Sequence, residues 1–216
     1  MKSIKIVFAL FLISCGSIES DKPYKKIESL KLTKNSITYT EINPTTLNDF
    51  ILDGYQVNQA FEFDSFVVGS AYAHGDVETS ENPDNWGDRL IMIENQSIVF
   101  ESKPVGDVYL YEPHFFRNSE TNKTIIIAQL AYEYNFGGDV FLLENEKMSF
   151  LGNIEIDGPD LETALTDIVQ VSENDDSFNF HFKSDSLNFN PGNEDRIIPN
   201  NNVHYSYKQG VWKFYK

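Results

Sequence analysis

Ile91-Met92-Ile93-Glu94-Asn95-Gln96-Ser97-Ile98-Val99-Phe100 decides the fold, because the same pattern returns as Phe141-Leu142-Leu143-Glu144-Asn145-Glu146-Lys147-Met148-Ser149-Phe150. A third version is Tyr205-Ser206-Tyr207-Lys208-Gln209-Gly210-Val211-Trp212-Lys213-Phe214. In each, an apolar segment meets a polar turn at Asn95, Asn145 or Gln209-Gly210, and a second segment ends in Phe. The turn residues tolerate the positive φ that a tight hairpin demands, while the β-branched and aromatic flanks suit strands. The pattern predicts three hairpins.

The first two copies extend upstream. Ala71-Tyr72 precedes Gly87-Asp88, and Ala131-Tyr132 precedes Gly138-Asp139. The spacing from Gly-Asp to Glu-Asn differs by one residue, which predicts a bulge or a one-residue indel. Each unit reads as strand, loop, hairpin; the third takes its strand from Phe178–Phe182, then a long loop, then the C-terminal hairpin. Other short apolar segments, such as Phe61–Ala73 and Thr124–Tyr134, are bounded by Asn, Asp, Gly or Pro. The expectation is one all-β domain over residues 36–216, an antiparallel meander of repeated units. Such units resemble β-propeller blades, although three is fewer than the usual minimum of four. An irregular sandwich or an open barrel of meanders satisfies the same pattern. One or two short helices are predicted, at residues 45–52 with Thr45 or Thr46 as cap, and at residues 159–165.

The N-terminal residues carry a different signal. Lys2 and Lys5 precede an unbroken apolar run of eight, Ile6 to Ile13. A membrane-spanning helix needs about 20 such residues, whereas this length suits a signal-peptide core. Leu12-Ile13-Ser14-Cys15 then resembles the lipobox of bacterial lipoproteins, and Cys15 is the one Cys of the chain. That resemblance implies cleavage before Cys15, a diacylglyceryl thioether on its sulfur and acylation of the freed amine. Two or more acyl chains hold a protein stably on a membrane. Gly16, rather than Asp, follows the Cys, and by the same resemblance the protein is expected at the outer membrane. Residues 1–14 are thus read as the signal peptide, and residues 15–35, polar and mixed in charge, as the lipidated Cys and its tether.

With 33 acids against 17 Lys and Arg, the net charge is −16; loss of Lys2 and Lys5 with the leader takes it to −18. This balance argues against nucleic acid, whose phosphates require clustered Lys and Arg. It suits solubility, divalent cations or a basic protein partner. With its Cys consumed by lipid, the chain has no disulfide, no thiolate metal site and no catalytic thiol.

Function is expected where the repeat breaks. Fourteen residues separate Tyr72 from Gly87, but five separate Tyr132 from Gly138. The longer loop holds His74, Asp76, Glu78 and Trp86, and loops that vary on a repeated scaffold are where function is grafted. His74-x-Asp76-x-Glu78 has period two, so an extended backbone puts the three side chains on one face, as ligation of a cation would require. The same spacing fits a solvated polar loop, and no second His lies at ligand spacing. Tyr72, Trp86, Tyr132 and Tyr134 offer a stacking surface for a sugar or peptide. Gly-x-Ser-x-Gly, a nucleotide-binding glycine loop and His-Glu-x-x-His are all absent, and no cofactor is expected. His114, beside Phe115 and Phe116, reads as packed; His181 reads as a surface or core-edge residue.

Three functions remain open from sequence. The first is a non-enzymatic, membrane-anchored binding or accessory lipoprotein with a protein or glycan ligand. The second is an inhibitor or immunity-type protein matched to a basic partner. The third is a metal-dependent hydrolase built on the His74 loop.

Overall fold

The computed structural model describes residues 36–73, 86–106, 108–160, 162–193 and 195–216. Three short strands lie in the first segment: β1 (Ile37–Thr38), β2 (Thr40–Ile42) and β3 (Thr45–Thr46). A four-strand meander follows, β4 (Tyr55–Phe63), β5 (Phe66–Ala73), β6 (Asp88–Glu94) and β7 (Ser97–Glu101). A second meander is β8 (Leu110–Arg117), β9 (Thr124–Ala131), β10 (Asn135–Glu144) and β11 (Lys147–Ile154). Then come β12 (Ile156–Asp157), the one-turn helix α1 (Leu165–Ile168), β13 (Val169–Asn174) and β14 (Ser177–Phe182). Strands β15 (Ser186–Phe189) and β16 (Arg196–Pro199) precede β17 (His204–Lys208) and β18 (Val211–Tyr215).

All pairings are antiparallel, and among the described residues no sheet closes into a barrel. The three large sheets have the orders β3-β4-β5-β6-β7, β2-β8-β9-β10-β11 and β1-β13-β14-β17-β18, and β12-β15-β16 forms a small fourth. Each large sheet is therefore one meander with a strand of the N-terminal segment added to its first edge. The fold is all-β, as the repeat predicts.

The hairpins form as read. Glu94 pairs with Ser97, Glu144 with Lys147 and Lys208 with Val211, each across a two-residue turn. Asn95 and Gln96 take φ of 48° and 64°, and Asn145 and Glu146 take 51° and 62°. Positive φ at both central positions matches the right-handed twist of the flanking strands. Both copies carry a register shift, at Met92/Ile93 and Val140/Phe141, but the extra residue is Val99 or Leu151 on the second strand of the hairpin, so these bulges do not account for the one-residue difference in spacing.

Other details are corrected. Phe61–Ala73 is split by a turn at Asp64-Ser65, so each unit is two hairpins joined by a loop. No helix forms at residues 45–52. Thr45 and Thr46 pair with Glu62 and Phe61, and Leu47 N donates to Ala60 O at 2.8 Å. The open edge of β4 offers ladder partners that an isolated turn of helix lacks, and β-branched Thr suits that site. At residues 159–165, Asp160 Oδ1 instead accepts from Glu162 N (3.0 Å) and Thr163 N (2.7 Å), and the helix starts only at Leu165. Local side-chain acceptors of this kind compete with helix formation.

The middle sheet is buried on both faces. In β9 every residue of Thr-Ile-Ile-Ile-Ala-Gln-Leu-Ala is buried, which explains its unbroken apolar run. Ile125 and Ile127 pack with Val171, Phe180 and Leu187 on the third-sheet side, while Ile126, Ala128 and Leu130 pack with Phe63, Val68 and Leu90 on the first-sheet side. The alternation of β-strand side chains thus divides one strand between two cores. On the other face of the first sheet, Phe50 and Leu52 cover Ala71, Ile91 and Ile93.

The two ends of this stack differ. One end carries tight turns, among them Asp64-Ser65, Asn95-Gln96, Asn145-Glu146, Asp175-Asp176 and Gln209-Gly210. The other is where the longer links begin or end, as β4, β6 and β8 start there and β5, β7, β11 and β14 finish there.

Candidate functional site

The long-connection end gathers the chemistry. There Tyr72 on β5 lies between Gln56 on β4 and Asp88 on β6. Asp88 exchanges backbone hydrogen bonds with Val105, N to O at 2.9 Å and O from N at 2.7 Å, which docks the segment after β7 against the start of β6. Gly87 (φ 116°) and Gly106 permit this close approach: a Cβ on Gly87 would collide with Val105 backbone, and one on Gly106 with the Trp86 ring. Tyr132 Oη donates to Gly106 O at 3.2 Å, and its ring stacks on Phe136 with centroids 4.6 Å apart. Trp86, Gly106, Tyr132 and Phe136 therefore form a shelf, with Tyr132 40 % exposed.

Beside the shelf lie two desolvated carboxyl groups. Asp139 on β10 accepts from Tyr111 Oη at 3.1 Å and Asn153 Nδ2 at 3.0 Å. Asp88 accepts from Asn58 Nδ2. Burial raises both carboxyls above the usual range, and their hydrogen bonds pull back only in part. Burial also raises Tyr111, and the charges of Asp139 and Asp88 push it further in the same direction. The two aspartates of the repeated Gly-Asp dipeptide thus act on one buried phenol.

A third carboxyl closes the core between the middle and third sheets. Asp157 accepts from Gly137 N, from Leu165 N at 2.6 Å and from Gln129 Nε2 at 3.4 Å. Gln129 Oε1 accepts from Thr166 N at 3.3 Å. Asp157 is 1 % exposed, and burial pushes it up to about 7 against these hydrogen bonds. Its contacts pin the start of α1 and the bulged β10 backbone, so it serves the fold.

Of the residues singled out by sequence, Tyr72 and Trp86 stand at the two ends of the long β5–β6 connection, next to the carboxyl cluster. His74, Asp76, Glu78 and Cys15 lie outside the described residues. Among the described residues, no three His, Cys, Asp or Glu side chains gather as a metal-binding group, and no helix is long and apolar enough to cross a membrane. His114 is not packed among aromatics: its Nδ1 lies 3.0 Å from Glu41 Oε1 at the surface. Sequence reasoning missed Asp88, Tyr111 and Asp139 as a cluster, although the Gly-Asp repeat marks two of the three.

The arrangement suits recognition of a polar, ring-bearing ligand. An aromatic shelf stacks on an apolar ring face, and adjacent carboxyls and amides bond to hydroxyl groups. No family model, no characterised protein and no solved structure matches this chain, so its assignment rests on the residues and geometry above.

Proposed function

We propose that this chain is a non-enzymatic binding lipoprotein, held at the outer membrane through Cys15, that presents the long-connection end of its sheet stack to a glycan. The observation that carries the reading is the Trp86–Tyr132–Phe136 shelf beside Asp88 and Asp139, at the end where β5 finishes and β6 and β8 start. Rigid sheets with tight turns at the opposite end suit a scaffold that offers one working surface. The acidic surface keeps the tethered domain soluble and away from anionic lipid.

A glycan array probed with the full-length chain tests the ligand. Binding is expected, and Trp86→Ala and Asp139→Asn are each expected to weaken it at least about tenfold, the loss of one stacked or charge-assisted contact. Array binding that survives both substitutions sinks the reading. The anchor is tested by mass spectrometry of the protein from its native membrane: a diacylglyceryl thioether on an N-terminal Cys15 is expected, and an unmodified thiol overturns it.

A further inference from the structure

The third sheet has an outward face unlike the rest of the molecule. Its inward residues, among them Val171, Phe180 and Tyr205, fill the core. Its outward face carries polar rows read across the strands, and one row is Gln170, His181, His204 and Tyr215. His181 and His204 are direct cross-strand partners, with ring centroids 4.8 Å apart and planes 29° apart. Tyr215 covers the other face of His204 at 4.6 Å, with planes 6° apart.

The protonation pattern of this pair is set by its surroundings. His204 Nδ1 lies 2.9 Å from Asn202 O. A carbonyl only accepts, so Nδ1 carries the proton, and in the neutral ring the Nε2 lone pair is free. A backbone carbonyl on one imidazole nitrogen is the usual way a metal-ligating His is oriented and its tautomer fixed. The two rings stand side by side in a row that holds no carboxylate, on a chain whose net charge of −16 concentrates cations near its surface.

We propose that His181 and His204 form a two-imidazole site for a borderline divalent cation of the Zn²⁺ class, with water in its remaining positions. Two nitrogens on one tetrahedral Zn²⁺ at about 2.0–2.1 Å lie roughly 3.3 Å apart. The rings, now stacked with centroids 4.8 Å apart, must leave that stack to bring two nitrogens to this separation. Imidazole nitrogen selects Zn²⁺, Ni²⁺ or Cu²⁺ over Mg²⁺ and Ca²⁺, which take oxygen. The site lies on the third sheet, away from the first and middle sheets that carry the aromatic shelf, and it does not depend on the glycan reading.

Titration of the full-length chain with Zn²⁺ alone, followed by calorimetry and by ¹⁵N resonances of the histidine rings, tests it. Zn²⁺ is expected to shift the ring nitrogens of His181 and His204 together, and Mg²⁺ is expected to leave them unmoved. His181→Gln and His204→Gln are each expected to weaken Zn²⁺ binding at least about tenfold, while His74→Ala and His114→Gln leave it intact. Both Gln variants keep a polar side chain on a partly exposed face, and matching melting curves confirm that they fold. Zn²⁺ binding unchanged in both Gln variants, binding lost in His74→Ala alone, or ring nitrogens unmoved at saturating Zn²⁺ each overturns the proposal.

Discussion

Asp157 shows how one buried carboxyl shapes the response of the chain to pH. Its folded pKa, about 7, stands above the ordinary carboxyl value, so its contribution to stability is full below pH 3.8 and has drained away once pH passes 7. By linkage the loss amounts to up to about 4 kcal/mol. His181 acts in the opposite sense: its lowered pKa favours the fold above pH 6.5 and loses that contribution as pH falls toward 4. The Asp157 effect is isolated by comparison with Asp157→Asn, which cannot ionise. That variant is expected to be about 1–3 kcal/mol less stable at pH 5, where an amide donor faces Gly137 N. It is expected to recover most of the deficit by pH 8, when the native carboxyl is charged. Urea midpoints of both chains at the two pH values check this, and a deficit that widens with pH contradicts it. A second buried charge, Arg89, is 1 % exposed and bonds Glu101 at 2.5 Å, while Tyr55 Oη donates to Glu101 at 3.1 Å. Glu101→Ala is expected to cost about 1–3 kcal/mol, because it removes one charge-assisted hydrogen bond from a buried guanidinium. Tyr55→Phe removes a single partly exposed hydrogen bond and is expected to cost about 1 kcal/mol or less.

Among the elements, the hairpins were the most legible, because turn chemistry and side-chain alternation are local. Asn95, Asn145 and Gln209-Gly210 announce themselves by residue type. The second turn residue of the first two copies is another matter. Gln96 and Glu146 hold φ of 64° and 62°, where a Cβ is strained, while the third copy places Gly210 there at 82°. Glu146→Gly is therefore expected to raise stability by about 0.5–1 kcal/mol, and Gly210→Ala to lower it by about as much, read from denaturant midpoints with m unchanged. What sequence could not supply was pairing at a distance. Thr45 and Thr46 look like a helix start until the edge of β4 is in place. Asp160 looks like part of a helix until its carboxylate is seen bonding two backbone amides. The Asp88–Tyr111–Asp139 cluster joins residues of two sheets, and only their stacking brings the two Gly-Asp dipeptides to one phenol.

At the scale of the molecule, the segment from Ile37 to Thr46 touches all three large sheets. β1 pairs with β13, β2 with β8 and β3 with β4, so ten residues border the first strand of every meander. Tyr39 is buried at this junction, where its hydroxyl donates to Glu173 Oε2 at 2.8 Å; Lys123 Nζ meets Glu173 Oε1 at 2.6 Å. Lys123 also meets Glu144 of the middle sheet at 3.4 Å, so this one ammonium joins the middle sheet to Glu173 of the third. The segment thus covers three sheet edges that would otherwise present unpaired backbone groups, a recognised route to aggregation. A chain beginning at Leu47 is expected to lose several kcal/mol, to expose the β4, β8 and β13 edges to fast amide exchange, and to aggregate. Amide exchange resolved along the chain distinguishes this from a local effect. If the shorter chain kept native protection in β8 and β13, the N-terminal strands would be ornament on three self-sufficient meanders. Shared cores on both faces of β9 argue against that independence: Ile126→Ala and Ile127→Ala face opposite partners, yet each is expected to cost about 2–5 kcal/mol and to lower one common transition.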